Sequence, residues 1–162
     1  MHPVYNTLVD VASNACQRHY GARLVSVAVF GSVGRGTPAS DSDIDLLVVA
    51  DQLLRGRLAR SDDFVGVERI VEPHLTSAHA LGLHPSLSPI FKTPEEVTAG
   101  SPLFLDMVDD ARILFDRDGF LQRAFAGLAA RLARLGAKRI WRENMWYWDL
   151  KPDYKPGEVF EI

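Results

Sequence analysis

Apolar positions along the chain recur with two periods. From Val4 to Tyr20, Tyr5, Leu8, Val9, Ala12, Ala15 and Cys16 are spaced by helical steps, which predicts an amphipathic helix stopped by Gly21. Leu24–Phe30 is a near-continuous, Val-rich apolar run, the mark of a buried strand. A Gly-rich, Pro-broken connection follows, then an acidic opening, Asp41–Asp45, and a second apolar run, Leu46–Val49. The order is strand, turn, loop, strand. Three arginines, Arg55, Arg57 and Arg60, mark an exposed linking segment or a contact for a polyphosphate. Ser61-Asp62-Asp63 predicts the cap of a helix over Phe64–Leu81, broken or kinked at Pro73.

Beyond it, Leu87–Lys92 reads as a short strand, placed near a sheet edge by Pro89. Thr93-Pro94-Glu95-Glu96 has the cap, proline and glutamate of a helix start, and Gly100 ends that short helix. Ser101-Pro102 opens another through Val108, Arg112–Phe115 is a last short strand, and Asp116–Gly119 is a turn. From Phe120, the stripe Leu121, Phe125, Leu128, Leu132 and Leu135 predicts a long helix, bent or ended at Gly136. Arg131, Arg134, Lys138 and Arg142 form a basic row beside it, a solvated face or a nucleic-acid contact. Trp141, Trp146, Tyr147 and Trp148 crowd together, either sealing an apolar face or forming an interface or one wall of a base pocket. Lys151–Gly157 is extended, and Glu158–Ile162 alternates like a strand or a docking segment. These elements predict an α/β (α+β) fold, a small mixed sheet packed against helices over 1–116, with a helical C-terminal extension over 117–162.

Length and charge narrow the classes. A chain of 162 residues suits one substantial core. The net charge of -3 argues against a protein that coats nucleic acid nonspecifically. Cys16 stands alone, so no internal disulfide forms; this fits a reducing, cytoplasmic setting, and on its apolar stripe the thiol reads as a small buried hydrophobe. No apolar run reaches membrane-spanning length, and the N-terminus lacks a secretory pattern. His74, His79 and His84 recur every five residues, which spreads them around a helix rather than onto one metal-binding face.

The chemistry concentrates in Val29–Val49. Side chains alternate along a strand, so Asp43 and Asp45 share one face while Ile44, Leu46 and Val48 share the other, toward the core. Two adjacent carboxylates ionise together most readily with a cation between them, and hard oxygen ligands suit Mg²⁺ or Mn²⁺. Gly31 lets backbone approach a phosphate, and a short helix starting at Ser32 would add N–H groups and a hydroxyl. A solvated acidic loop between two ordinary strands is the plainer alternative.

Gly31-Ser32, ten intervening residues and Asp43-Ile44-Asp45 resemble the signature of the DNA-polymerase-β-like nucleotidyltransferase superfamily. Arg35-Gly36 and, loosely, Ser40-Asp41 and Ser42-Asp43 make the stretch similar to its minimal nucleotidyltransferase branch, with Gly34 where that branch often has alanine. The resemblance spans Val4 to about Phe115. It implies metal-dependent transfer of an NMP group from an NTP, ATP first among them, to an acceptor, with pyrophosphate released. Asp43 and Asp45 would then hold Mg²⁺ or Mn²⁺ and carry catalysis, with Gly31, Ser32 and Arg35 binding the nucleotide. It also implies an alternative: an antitoxin or regulatory module that pairs with a HEPN-type ribonuclease toxin, or a nucleotide-binding module without turnover; a homodimer is a further expectation. Active members commonly place a third carboxylate on the next strand, yet Leu87–Lys92 contains no acid, and Glu68, Glu72, Glu95 and Glu96 lie in or at helices. The acceptor is not indicated.

Overall fold

A computed structural model describes residues 2–142 and 145–162. The elements are α1 (Pro3–Tyr20), β1 (Leu24–Phe30), α2 (Gly31–Gly34), β2 (Ile44–Ala50), α3 (Arg57–His79), β3 (Leu87–Lys92), α4 (Pro94–Thr98), α5 (Leu103–Asp110), β4 (Arg112–Asp116), α6 (Phe120–Leu135), β5 (Lys138–Arg142) and β6 (Met145–Asp149). Four strands form one sheet in the order β3-β2-β1-β4. The β2–β3 pair is parallel and the others are antiparallel, so the sheet is mixed, and β3 with its Pro89 lies at an edge.

Both faces of the sheet are covered. Ile44, Leu46, Val48 and Ala50 of β2 pack with α1 and α3, whose Tyr5, Leu8, Val9, Phe64, Val67 and Val71 are buried there. Leu47 and Val49 point the other way, into a second apolar layer with Phe104 and Met107 of α5 and Leu121, Phe125, Leu128 and Leu132 of α6. Alternation along β2 thus assigns each residue to one of two buried layers. In β1 a register shift follows Leu24, and Ser26 lies fully buried beside it. Cys16 is buried in the first layer, and burial pushes its thiol up to about 12.

Several expectations are corrected. The second long helix begins at Arg57, not Phe64, so Arg57 and Arg60 are helical rather than part of a linker. Gly56, at φ 88, turns the chain into it, and Arg60 Nε donates to the Leu54 carbonyl at 2.7 Å. Pro73 does not break α3. Phe64, Val67 and Val71 before it and Leu75 and Ala78 after it are all buried in the layer shared with α1, and this packing outweighs one lost hydrogen bond. Gly136, at φ 68, ends α6, so Lys138 and Arg142 leave the basic row and enter a β-hairpin, β5–β6, that periodicity did not predict. Glu158–Ile162 forms no strand; Ile162 instead lines an apolar cavity of about 340 Å³ against α6. The helix starting at Thr93 has the capping box its sequence predicts. Among the described residues no helix is long and apolar enough to cross a membrane.

Asp116 ties the long C-terminal helix to the sheet. Ser26 Oγ donates to its Oδ1 at 2.6 Å, and the Leu121 and Gln122 backbone N–H groups donate to its two oxygens at 2.9 and 3.0 Å. One carboxylate therefore satisfies a buried hydroxyl and two otherwise unpaired helix N–H groups. Asp116→Ala is expected to lower stability by about 2 kcal/mol, from a lost cap and a stranded buried hydroxyl. Urea denaturation measures it, and an unchanged midpoint would contradict this role.

Candidate active site

Antiparallel pairing sets Phe30, the last residue of β1, beside Asp45 in β2. The next residue, Gly31, adopts φ 65 and opens the single turn of α2. A Cβ at position 31 would overlap Asp45 Oδ2, so the backbone lies directly against the carboxylate. Gly34 is equally confined: a Cβ there would come 2.7 Å from the Asp110 carbonyl oxygen. Behind the turn, the Thr37 N–H donates to the Ser32 carbonyl at 2.9 Å. Tyr5 holds the following loop from below, its hydroxyl donating to the Ala39 carbonyl at 2.7 Å and the Ser42 carbonyl at 3.3 Å.

The two carboxylates sit where β2 begins. Asp45 is half-buried on the face that Leu47 and Val49 continue into the second layer, and Asp43 is exposed one residue ahead of the strand. Burial pushes the Asp45 carboxyl up; the Ser88 hydroxyl opposes that rise, Asp43 adds to it and Arg35 opposes it. Strand β3 runs parallel to β2 with Ser88 opposite Asp45, and Ser86 Oγ donates to Asp43 Oδ1 at 2.5 Å. The next strand and the residue before it therefore present two serines, not an acid, beside the pair. Among the described residues, no three His, Cys, Asp or Glu side chains gather as a metal site.

Arg35 is placed differently from Gly31 and Ser32. Its guanidinium donates to Asp110 at 3.0 Å and lies 5.0 Å from the ring centre of Trp146. Arg139 reaches the same Asp110 at 3.1 Å and lies 5.1 Å from the same ring. Asp106 accepts the indole N–H groups of Trp146 and Trp148 at 2.9 and 3.2 Å. Two arginines, two aspartates and two tryptophans thus fasten the β5–β6 hairpin to α5 beside the α2 turn. Trp146 and Trp148 are partly buried in this clamp, while Trp141 remains 57% exposed.

Sequence reasoning missed Ser86, Ser88, Asp106, Asp110 and Arg139. The serines had a readable signal, a two-residue spacing beside the strand after Asp-x-Asp. The clamp did not, because Arg35 and Asp110 lie 75 residues apart. Asp43 and Asp45, two hard carboxylates two residues apart, are donors that fit a divalent cation, and Gly31 lets the backbone lie directly against the second of them.

The nucleotidyltransferase domain family model matches residues 9–106. A Methanocaldococcus jannaschii protein named "putative protein adenylyltransferase" is 28% identical over 143 residues, 87% of this chain and 92% of its own. Among solved structures, a toxin–antitoxin crystal structure with AMP-PNP overlaps with a TM-score of 0.45 at 20% identity, covering 78% of this chain and 92% of that one. A tri-AMPylated Shewanella oneidensis HEPN toxin in complex with MNT antitoxin overlaps with a TM-score of 0.39 at 17% identity, covering 83% and 91%.

Asp45 sets a pH test. Its carboxyl is raised in the folded chain, so its stabilising contribution is full below the ordinary value of 3.8 and is lost as pH rises through the raised one. Metal-free Asp45→Asn should therefore melt at or above the wild type at neutral pH, with the difference closing in acid. Melting curves in EDTA across the acid range check this, and a lower Asp45→Asn midpoint at neutral pH would contradict it.

Proposed function

Because the chain belongs to the nucleotidyltransferase domain family, we propose that it transfers AMP from ATP to a hydroxyl on a partner protein and releases pyrophosphate. The observation that carries this reading is the contact of the Gly31 backbone with Asp45: the Gly-Ser turn lies directly against one carboxylate of the pair, which supports a phosphate site beside a cation site. In this reading Gly31 and Ser32 hold the β- and γ-phosphates, and Asp43 and Asp45 hold Mg²⁺ or Mn²⁺. The cation, when bound, neutralises charge that develops on the phosphates. The acceptor oxygen bonds to the α-phosphorus, the bond from that phosphorus to the bridging oxygen breaks, and pyrophosphate leaves with the electron pair. The hydroxyl proton is released to water. Arg35, turned toward Asp110 and Trp146, supports the turn and adds positive charge near Asp45.

A protein acceptor is favoured by two features. The Methanocaldococcus jannaschii relative carries the name of a protein adenylyltransferase. The hairpin clamped beside the turn exposes Trp141 and Tyr147, aromatic residues of the kind enriched at protein interfaces. The resemblance of the signature to minimal nucleotidyltransferases makes a HEPN-type ribonuclease toxin the first acceptor to try. The second reading, a regulatory module that binds nucleotide or partner without turnover, is favoured by the missing acid on β3.

ATP labelled at the α-phosphate separates the readings. Incubated with Mg²⁺ and a candidate HEPN-type protein, the chain is expected to label that protein and release pyrophosphate. Asp43→Asn and Asp45→Asn should each slow labelling by at least about 100-fold. Nucleotide binding without pyrophosphate release would favour the regulatory module, and label confined to RNA or small molecules would overturn the protein acceptor.

A further inference from the structure

We propose, on the reading of Gly31 and Ser32 as a phosphate cradle, that the β5–β6 hairpin is part of the nucleotide site without lining it. Arg139 and Trp146 are positioning residues that act through Asp110 on Arg35 and the α2 turn. The family model matches residues 9–106, so Asp110, Arg139 and Trp146 all lie beyond it.

The arrangement starts with α5. Phe104 and Met107 are buried in the second apolar layer, which fixes the rotation of this helix. Asp106 and Asp110, four residues apart, share another of its faces. Asp110, the last residue of α5, meets the α2 turn twice. Its carbonyl oxygen would lie 2.7 Å from a Cβ at Gly34, so backbone packs on backbone there. Its carboxylate accepts a hydrogen bond from the Arg35 guanidinium at 3.0 Å. Arg35 also caps α2, its backbone N–H donating to the Gly31 carbonyl at 3.1 Å. Asp110 is thereby tied to Gly31 through the residue that closes the turn.

The hairpin sets where that carboxylate points. Arg139 Nη1 donates to Asp110 Oδ1 and Nη2 to Oδ2, each at 3.1 Å. A two-pronged pair of this kind fixes the plane of the carboxylate. Arg35 shares Oδ2. The Trp146 ring centre lies 5.0 Å from the Arg35 guanidinium and 5.1 Å from that of Arg139, and its indole N–H donates to Asp106 at 2.9 Å. The ring attracts both guanidiniums, which would otherwise only repel each other. The side chains of Asp110 and Arg139 are 9% and 13% exposed, against 29% for Arg35, so the inner pair is the anchor and Arg35 the member nearer solvent. An arginine held in this way has lost much of its rotamer freedom before a triphosphate arrives, and the turn it caps is held with it. The hairpin thus strengthens phosphate binding by preorganisation.

A double-mutant cycle tests this, with binding of a nonhydrolysable ATP analogue and Mg²⁺ to the full chain measured by calorimetry. Arg139→Met, which keeps the apolar stem and removes the fork, should weaken binding by about tenfold, the scale of a hydrogen bond to a charged group. Arg35→Met should weaken it by at least as much. With Arg35→Met already present, adding Arg139→Met should weaken it by less than about twofold, because the side chain it acts through is gone. Trp146→Ala should repeat the Arg139→Met result in both backgrounds. Trp146→Phe, which keeps a ring beside both guanidiniums, should bind within about threefold of the wild type. If Arg139→Met does not fold, the Trp146 variants carry the same cycle.

Equal losses from Arg139→Met with and without Arg35 would make the hairpin a general prop of the fold and overturn the positioning role. So would Arg35→Met, or Arg139→Met together with Trp146→Ala, binding like the wild type. Gly31→Ala, which puts a Cβ into the space of Asp45 Oδ2, separates the two levels. If it abolishes analogue binding while the cycle is additive, only the role of the hairpin fails. If a folded Gly31→Ala binds normally, the nucleotide site itself is wrong.

Discussion

Position 31 cannot carry a side chain while Asp45 keeps its place. The β1–β2 pairing brings the end of one strand against the start of the other, and a Cβ at Gly31 would occupy the space of Asp45 Oδ2. Its positive φ adds a second reason for glycine. The Gly31 backbone and the Asp45 carboxylate meet because no side chain separates them.

The rest of the structure holds that contact rigid. Apolar layers on both faces of the sheet fix β1 against β2, and Tyr5 reaches up from α1 to pin the loop at Ala39 and Ser42. On the open side, Asp110 joins Arg35 to Arg139, and both guanidiniums lie near the ring of Trp146. Asp110 is largely shielded from water, so its pairs are screened less than surface ion pairs. The hairpin is thereby coupled to the α2 turn through charge and stacking. Trp141, whose ring centre lies 5.0 Å from that of Trp146, extends this cluster to an exposed position on the hairpin.

Much of this was legible in the sequence, for identifiable reasons. Leu24–Phe30 and Leu87–Lys92 were read with their observed bounds, because each is a short apolar run closed by glycine, proline or a cap. Pro89 correctly placed β3 at an edge. The start of α3 was hidden because Arg57–Arg60 has no apolar stripe, and its continuation through Pro73 depends on packing against α1 that no local rule contains. The hairpin was hidden because its strands are short and its tryptophans suit several structures. At the site, the placing of Asp45 on the face opposite Ile44, Leu46 and Val48 follows from alternation alone. The contact of Gly31 with Asp45, and the bonds from Asp110 and Ser86, depend on strand register and tertiary placement.

The most direct measurement is a crystal structure with a nonhydrolysable ATP analogue and Mg²⁺. The account predicts a triphosphate on the backbone N–H groups of the Gly31–Gly34 turn, and a cation touching Asp43, Asp45 and phosphate oxygens together. A nucleotide seated elsewhere, or a triphosphate at the turn whose cation contacts neither aspartate, would contradict it.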